Sequence, residues 1–298
     1  MRKLAGALAL VVASACSSGA PHQATGPPTT STPTTGATTT SSSTTTTTVG
    51  FAVPTSATEA AQRLDAAETT IHDPAVADDD PRLLAAGHTE QVIVRVYVDH
   101  PDWVSAVPAR WRATVADDAA AADVLRGLVA NPKPTLPAWT IHHPRPISEL
   151  RRDYDAAQAR WGVPWQYLAA VHFVESKMGR IAGSSSAGAQ GPMQFLPSTW
   201  AAYGTGDIHD DHDAILGAAH YLAANGAPAR MHDALFHYNR SELYVTAITR
   251  YAQRMQADPL AYRGYWGWQV YYSTTLGAVW LREGWSSPTE RPVTPADQ

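Results

Sequence analysis

The chain has almost no cysteine and little charge of either sign. A single cysteine, Cys16, among 298 residues excludes an internal disulfide framework. The 22 basic and 27 acidic residues leave a net charge of −5, which excludes the strongly basic face that nucleic-acid binding requires. Recognition must therefore depend on shape, hydrogen bonds and aromatic surface, and ten tryptophans are available for it.

The spacings of a metal or cofactor site are also missing. Residues 209–213 read His-Asp-Asp-His-Asp, but the glycine and the terminal glutamate of a calcium loop do not follow. We find no zinc-ligand spacing, no phosphate-binding loop and no Ser-x-x-Lys pattern. We therefore expect no metal and no cofactor.

The N-terminus has the features of an export signal. Residues 1–15 contain a basic start and an apolar run that is too short for an ordinary membrane span, so they predict a signal peptide. The segment that ends at Cys16 resembles a bacterial lipobox, although Ala13 stands where leucine is usual. We expect lipidation of Cys16 and anchoring to the outer face of the cell membrane, with secretion as the alternative. Residues 16–50, rich in Ser, Thr and Pro, predict a disordered tether.

The remainder predicts a mostly α-helical protein in three parts. Residues 51–145 are expected to form a helical extension and 146–258 a core domain. Residues 259–298 are expected to form an aromatic tail that packs on this domain, with its last residues disordered. In the extension, the capping-box pattern at Ser56 predicts a helix start. The segment QVIVRVYV has strand propensity but lies between helical patterns, and we predict a helix there. A further helix is predicted from Asp118 to Val129.

The core domain has clear helix signals. A helix is expected from Pro164 to about Met178. The segment DAILGAAHYLAA is predicted to begin at an N-cap formed by Asp211 or Asp213. In a later helix Tyr238 belongs to the core-facing stripe.

A lone carboxylate, Glu175, ends the apolar run LAAVHFVES. Burial disfavours the charged form of a carboxyl group, so the pKa of Glu175 is expected to rise. An acid that is still protonated near neutral pH can act as a general acid. The sequence therefore predicts a catalytic site at the end of this helix.

Four motifs occur in order around this acid: Glu175-Ser176, then residues 185–189 (SSAGA), residues 191–195 (GPMQF) and Tyr238-Asn239. The pattern resembles the lytic transglycosylases with a lysozyme-like (SLT) domain, and most closely their cell-envelope lipoproteins in actinobacteria. The resemblance implies cleavage of peptidoglycan glycan strands between N-acetylmuramic acid and N-acetylglucosamine, with formation of a 1,6-anhydro sugar. It also implies that Glu175 acts first as acid and then as base.

The resemblance further implies which residues bind the glycan: Ser176, Ser185, Ser186, Gln194, Tyr238 and Asn239. Ser176 could instead satisfy the end of its helix, and Gln194 could satisfy loop backbone groups. In the family the tyrosine that corresponds to Tyr238 points at the catalytic acid. His172, one turn before Glu175, is expected to be a satisfied core histidine.

Two other functions remain open on the sequence. A hydrolytic muramidase on the same fold would need a second carboxylate, and Asp207 or Asp211 are the first candidates, with Asp210 and Asp213 nearby. A non-catalytic, wall-binding lipoprotein would use the cleft only as a glycan clamp. In each case we expect a monomer that works on peptidoglycan outside the cytoplasmic membrane.

Overall fold

The structure is a computed structural model that describes residues 52–129 and 131–298. The predicted signal peptide, the lipidation of Cys16 and the tether lie outside this range. The expectation of a mostly α-helical protein is confirmed. Within the described ranges, none of the helices has the length and apolar character needed to traverse a lipid bilayer.

The extension consists of three helices and one 3-10 turn: α1 (Ala57–His72), α2 (Pro81–Asp99), the turn Pro101–Ala106, and α3 (Ala109–Leu128). Ser56 caps α1, because its side chain accepts from the amide of Glu59. The segment QVIVRVYV lies inside α2, so the helix prediction is confirmed. Helix α3 begins at Ala109, nine residues before the predicted Asp118. Pro108 is tolerated at its N-cap, because the amide N–H that proline lacks would have no partner within the helix.

Six helices form the core domain: α4 (Ile147–Trp161), α5 (Trp165–Ser176), α6 (Pro197–Tyr203), α7 (Asp211–Ala224), α8 (Met231–Tyr238) and α9 (Glu242–Ala257). The N-cap predicted for α7 was wrong by one residue. Asp210 occupies this position, and its Oδ1 accepts from the amide of Asp213 at 3.0 Å. An N-cap carboxylate needs extended backbone and reach to the third helical amide, and Asp210 has both.

The tail returns to the rest of the molecule as a short helix and a hairpin: α10 (Ala261–Gly267), β4 (Val270–Thr274) and β5 (Gly277–Leu281). Four two-residue strands form two further antiparallel pairs, β1 (Thr135–Leu136) with β6 (Arg291–Pro292) and β2 (Thr140–Ile141) with β3 (Ile181–Ala182). Leu136, Ile141 and Val279 are buried together in a small second core under these strands.

The extension and the core domain share one hydrophobic core. Helix α2 packs on α10 at glycine contacts, and α3 packs on α9. Polar groups also cross this interface, since Trp268 donates its indole N–H to Glu90 at 2.9 Å and Tyr265 donates its hydroxyl to Asp118. Burial raises the pKa of Glu90 well above its ordinary range, so a neutral carboxylic acid fits this position. The extension is therefore an integral part of the fold around the site.

Candidate active site

Glu175 lies on the last turn of α5 and is only 1% exposed. Nearly every residue of α5 is buried, because the helix is apolar on all sides and runs through the core. The Oε1 atom of Glu175 accepts a hydrogen bond from the Tyr244 hydroxyl at 2.9 Å. A buried carboxyl group in a fixed orientation is the arrangement that a general acid requires.

Two parallel tyrosines stand beside this acid. Tyr238 and Tyr244 are both fully buried, with their ring centres 6.3 Å apart and their planes 5° from parallel. The Tyr238 hydroxyl donates to the Met193 carbonyl at 2.8 Å. The resemblance implies that Tyr238 points at Glu175, and the structure adds Tyr244 as a hydroxyl that donates to this acid.

Tyr244 is the site residue that sequence reasoning missed. In the sequence, Tyr244 falls at helical spacing with Ile248, Tyr251 and Met255, a pattern that predicts only a packing face. The signal was nevertheless present, because a buried tyrosine hydroxyl without a partner costs about 1–3 kcal/mol. A tyrosine on a core-facing stripe therefore favours a buried acceptor, and Glu175 is the acceptor for Tyr244.

The backbone just after Glu175 is strained. Lys177 and Met178 have φ values of 55° and 61°, and Gln194 has 49°; in the described residues these are the non-glycine positions with positive φ. Each such residue costs on the order of 1 kcal/mol and persists only where the surroundings enforce it. All three lie in the turn after the acid or in the loop that closes on it.

Ser176 connects this turn to the loop. Its hydroxyl donates to the Pro192 carbonyl at 2.6 Å and accepts from the Gly179 amide at 2.9 Å. Of the two roles that the sequence left open for Ser176, these contacts match the one at the helix end. They hold the helix end and the loop in a fixed relation.

The loop after α5 is internally bonded. Ser185 accepts from the amides of Ala187 and Ala189, whereas Ser186 is exposed. Gln194 is fully buried, and its amide nitrogen donates to the carbonyls of Gly191 at 2.8 Å and Gly183 at 3.3 Å. These contacts give the loop one conformation.

A groove of about 420 Å³ opens beside Glu175 and is lined from three directions. The core domain contributes Glu175, Lys177 and Tyr251; the extension contributes Gln91, Arg95, Asp99 and Arg126; the tail contributes Trp268, Tyr271 and Tyr272. The six residues expected to bind the glycan are not among the lining residues of this groove. The sequence did not predict the wall that comes from the extension, because no local pattern indicates which face of α2 meets a distant cavity.

The carboxylates considered for a hydrolytic mechanism lie elsewhere. Asp207, Asp210, Asp211 and Asp213 are absent from the groove lining in the described part of the chain. Asp211 is 3.1 Å from His172 Nε2, and the Tyr154 hydroxyl is 2.8 Å from His172 Nδ1. His172 is fully buried in the core, and the contact with Tyr154 pairs its Nδ1 atom, which supports its interpretation as a core histidine.

Asp99 is the second carboxylate of the groove. It is exposed and forms an ion pair with Arg126 at 2.6 Å. Over residues 52–129 and 131–298, His, Cys, Asp and Glu side chains form no group of three or more that could hold a metal ion. Glu175 is thus the one buried carboxylate of the groove lining as the structure describes it.

Comparison with known proteins identifies the domain type of the central part of the chain. The family profile of the transglycosylase SLT domain matches residues 154–259. This part of the chain is a transglycosylase SLT domain. The membrane-bound lytic murein transglycosylase F of Thiobacillus denitrificans (strain ATCC 25259 / T1) is 32% identical over 124 residues. The match covers 39% of this chain and 26% of the relative, so the chain spans about a quarter of the relative's length. No solved structure matches.

The SLT domain contains Glu175 and Tyr244, whereas the groove walls from α2 and from the β4–β5 hairpin lie outside it. Within the SLT domain Lys177 is the cation nearest in sequence to the acid. Burial lowers the pKa of Lys177 to about 8, and the charge of Glu175 opposes this effect. Its ammonium group donates to the Phe173 carbonyl at 3.2 Å and lies over the Phe173 ring.

We expect Tyr244→Phe to lower kcat/KM about tenfold and to move the pH profile of kcat/KM to higher pH. The hydroxyl donates to the Glu175 carboxyl, and its removal disfavours the ionised form of that group. Steady-state kinetics between pH 4 and pH 9 measure both effects.

Tyr238→Phe is the matched control, because it removes the neighbouring parallel hydroxyl from a carbonyl acceptor. It should cost about 1 kcal/mol of stability and leave the pH profile in place. Equal profiles for both variants would show that the Tyr244 hydroxyl does not act on the acid.

Proposed function

We propose that this chain is a peptidoglycan lytic transglycosylase in which one glutamate serves as acid and then as base. The observation that carries the proposal is Glu175, which lies in an SLT domain, bonds to Tyr244 and is the buried carboxylate of the groove lining in the described residues. The name of the relative, a lytic murein transglycosylase, supports the same substrate class.

The reaction needs one proton carrier. Protonated Glu175 donates its proton to the oxygen that bridges C1 of N-acetylmuramic acid and N-acetylglucosamine, and the C1–O bond breaks. The carboxylate so formed takes the proton of the C6 hydroxyl on the same muramic residue. The C6 oxygen then bonds to C1, which gives the 1,6-anhydro sugar and regenerates protonated Glu175. The acetamido group of the substrate stabilises the cationic centre between the two steps, so a second carboxylate is not required.

The remaining site residues divide by their contacts. Ser176, Ser185, Gln194 and Tyr238 bond to backbone groups and hold the loop against the acid. Ser186 and Asn239 form no side-chain hydrogen bond with the described residues, so they are the two whose polar groups are available to the glycan. In this proposal the first four position the site and the last two contact substrate.

The proposed place of action is the outer face of the cell membrane. Lipidation of Cys16 would anchor the chain, and residues 17–50 would give it reach into the wall. The matched relative is named as membrane-bound, which supports this location. Secretion after cleavage of the signal peptide is the alternative.

Product mass tests the function. The purified chain is incubated with peptidoglycan, and the released muropeptides are analysed by mass spectrometry. We expect products that are lighter by one water than hydrolysis products and that have no reducing end. Reducing-end products would contradict the transglycosylase and would favour a muramidase, for which Asp99 is the candidate second carboxylate because it lines the groove. Binding without any product would favour the non-catalytic clamp.

A further inference from the structure

Arg95 is a groove-lining cation that stands outside the SLT domain. It projects from α2, is exposed to solvent, and its guanidinium carbon lies 4.3 Å from the ring centre of Tyr271 on β4. The Tyr271 hydroxyl is in turn 2.9 Å from His88 Nε2, and this hydrogen bond fixes the orientation of the ring that lies under the guanidinium. In the described residues no carboxylate lies within 4.0 Å of Arg95.

The other two cations of the groove are already engaged. Arg126 forms ion pairs with Asp99 at 2.6 Å and Asp123 at 2.8 Å. Lys177 bonds to a backbone carbonyl and lies next to the acid. Arg95 is therefore the groove cation whose hydrogen-bond donors are available to a ligand.

The charged side chains that line the groove have a different balance from those of the whole chain. The whole chain has a net charge of −5, yet three cations and two carboxylates line the groove, and one of the carboxylates is buried Glu175. A small local excess of cations attracts anionic ligand groups into a concave site, even where the protein as a whole is acidic. A neutral sugar backbone gives no reason for a fixed arginine here. The anionic groups of a peptidoglycan strand are the carboxylates attached at the muramic acid, either on its lactyl group or on the peptide joined to it.

We infer that Arg95, with its guanidinium placed over the Tyr271 ring, binds a carboxylate that the muramic acid carries. The planar guanidinium offers parallel N–H donors that match a carboxylate, and stacking on the ring restricts its rotamers before the ligand arrives. This inference rests on the proposed function for its substrate class. In this inference, the extension and the β4–β5 hairpin recognise the charged substituent of the glycan strand, while the SLT domain carries out the reaction.

The test compares Arg95→Met with Arg110→Met in the full chain. Arg110 is an arginine of α3 that stacks on Trp111 and pairs with Asp65, away from the groove. Equilibrium binding is measured with three probes. These are soluble glycan strands with native peptides, the same strands with all carboxylates converted to amides, and strands stripped of peptide so that only the lactyl carboxylate remains.

We expect Arg95→Met to weaken binding to native strands about tenfold, since a bidentate, charge-assisted hydrogen bond to a guanidinium already positioned by Tyr271 is of about that strength. On amidated strands, the affinity of Arg95→Met should stay within about twofold of the wild-type affinity. Arg110→Met should bind both native and amidated strands as the wild type does. Added salt should weaken wild-type binding to native strands more than Arg95→Met binding. The lactyl carboxyl is an amide where a peptide is joined and becomes a free carboxylate only on stripping. A loss on native strands alone therefore assigns the peptide carboxylate, and a loss on both probes shows that Arg95 binds a carboxylate at either position.

Equal losses on native and amidated strands, or no loss on native strands, would overturn the inference. Because the readout is binding, it is separable from the reaction. Binding that depends on the carboxylates, without anhydro products, would contradict the proposed transglycosylase activity and would still support a carboxylate ligand for Arg95. Anhydro products, with binding that does not change when the carboxylates are amidated, would support the transglycosylase activity and contradict the inference about Arg95.

Discussion

Replacing Glu175 with glutamine is expected to lower kcat by about 10²- to 10⁴-fold, the range that general acid–base catalysis contributes. Glutamine has the shape of glutamate. Its carbonyl oxygen can still accept the hydrogen bond that the Tyr244 hydroxyl donates to Oε1 of Glu175. It has no proton to give to the bridging oxygen and cannot take one from the C6 hydroxyl. Both proposed steps should therefore fail while the fold remains.

The measurement is the rate of anhydro-product release at saturating glycan, together with the melting temperature of each protein. Glu242→Gln is the control, because Glu242 belongs to the same SLT domain and pairs with His232 on the surface. Its rate should stay within about twofold of wild type, since exposed ion pairs contribute little. A Glu175→Gln variant that cleaves at the wild-type rate would remove Glu175 from the mechanism.

The acid itself could be predicted from the sequence, because burial of Glu175 follows from local pattern. A helix that is apolar on all sides must be buried, and a carboxylate on its last turn goes with it. The cap positions of α1 and α9 were equally local: Ser56 and Ser241 each accept from an amide three residues ahead.

The partner of the acid could not be predicted in the same way. Tyr238 and Tyr244 lie on adjacent helices with identical side chains, and the choice between them depends on how α8 and α9 pack. The groove wall is less local still. Arg95 and Tyr271 are separated by most of the chain, and periodicity within α2 does not tell which of its faces meets the β4–β5 hairpin.

The wall from the extension depends on one close helix contact, which a single methyl group would disturb. A Cβ added at Gly87 of α2 would lie 2.3 Å from the Gly264 carbonyl oxygen and 2.8 Å from the Gly267 Cα, and both atoms belong to the backbone of α10. Backbone atoms cannot rotate away, so the two helices must separate. The same interface holds Trp268, which donates to Glu90 and lines the groove. Separation would therefore move a wall of the active site.

We expect Gly87→Ala to destabilise the protein by about 2–3 kcal/mol, the upper range for overpacking a close contact, and to lower the melting temperature by roughly 5–10 °C. The kcat/KM for glycan strands should fall with it, even though Gly87 lies outside the SLT domain. Gly127→Ala is the matched control, since its Cβ would meet only the end of the Leu243 side chain at 3.4 Å. There the helix propensity of alanine should stabilise α3 by up to about 1 kcal/mol. Lower stability with unchanged kcat/KM would mean that the extension supports the fold without forming the groove. Unchanged stability would mean that α2 and α10 do not meet in solution as they do here.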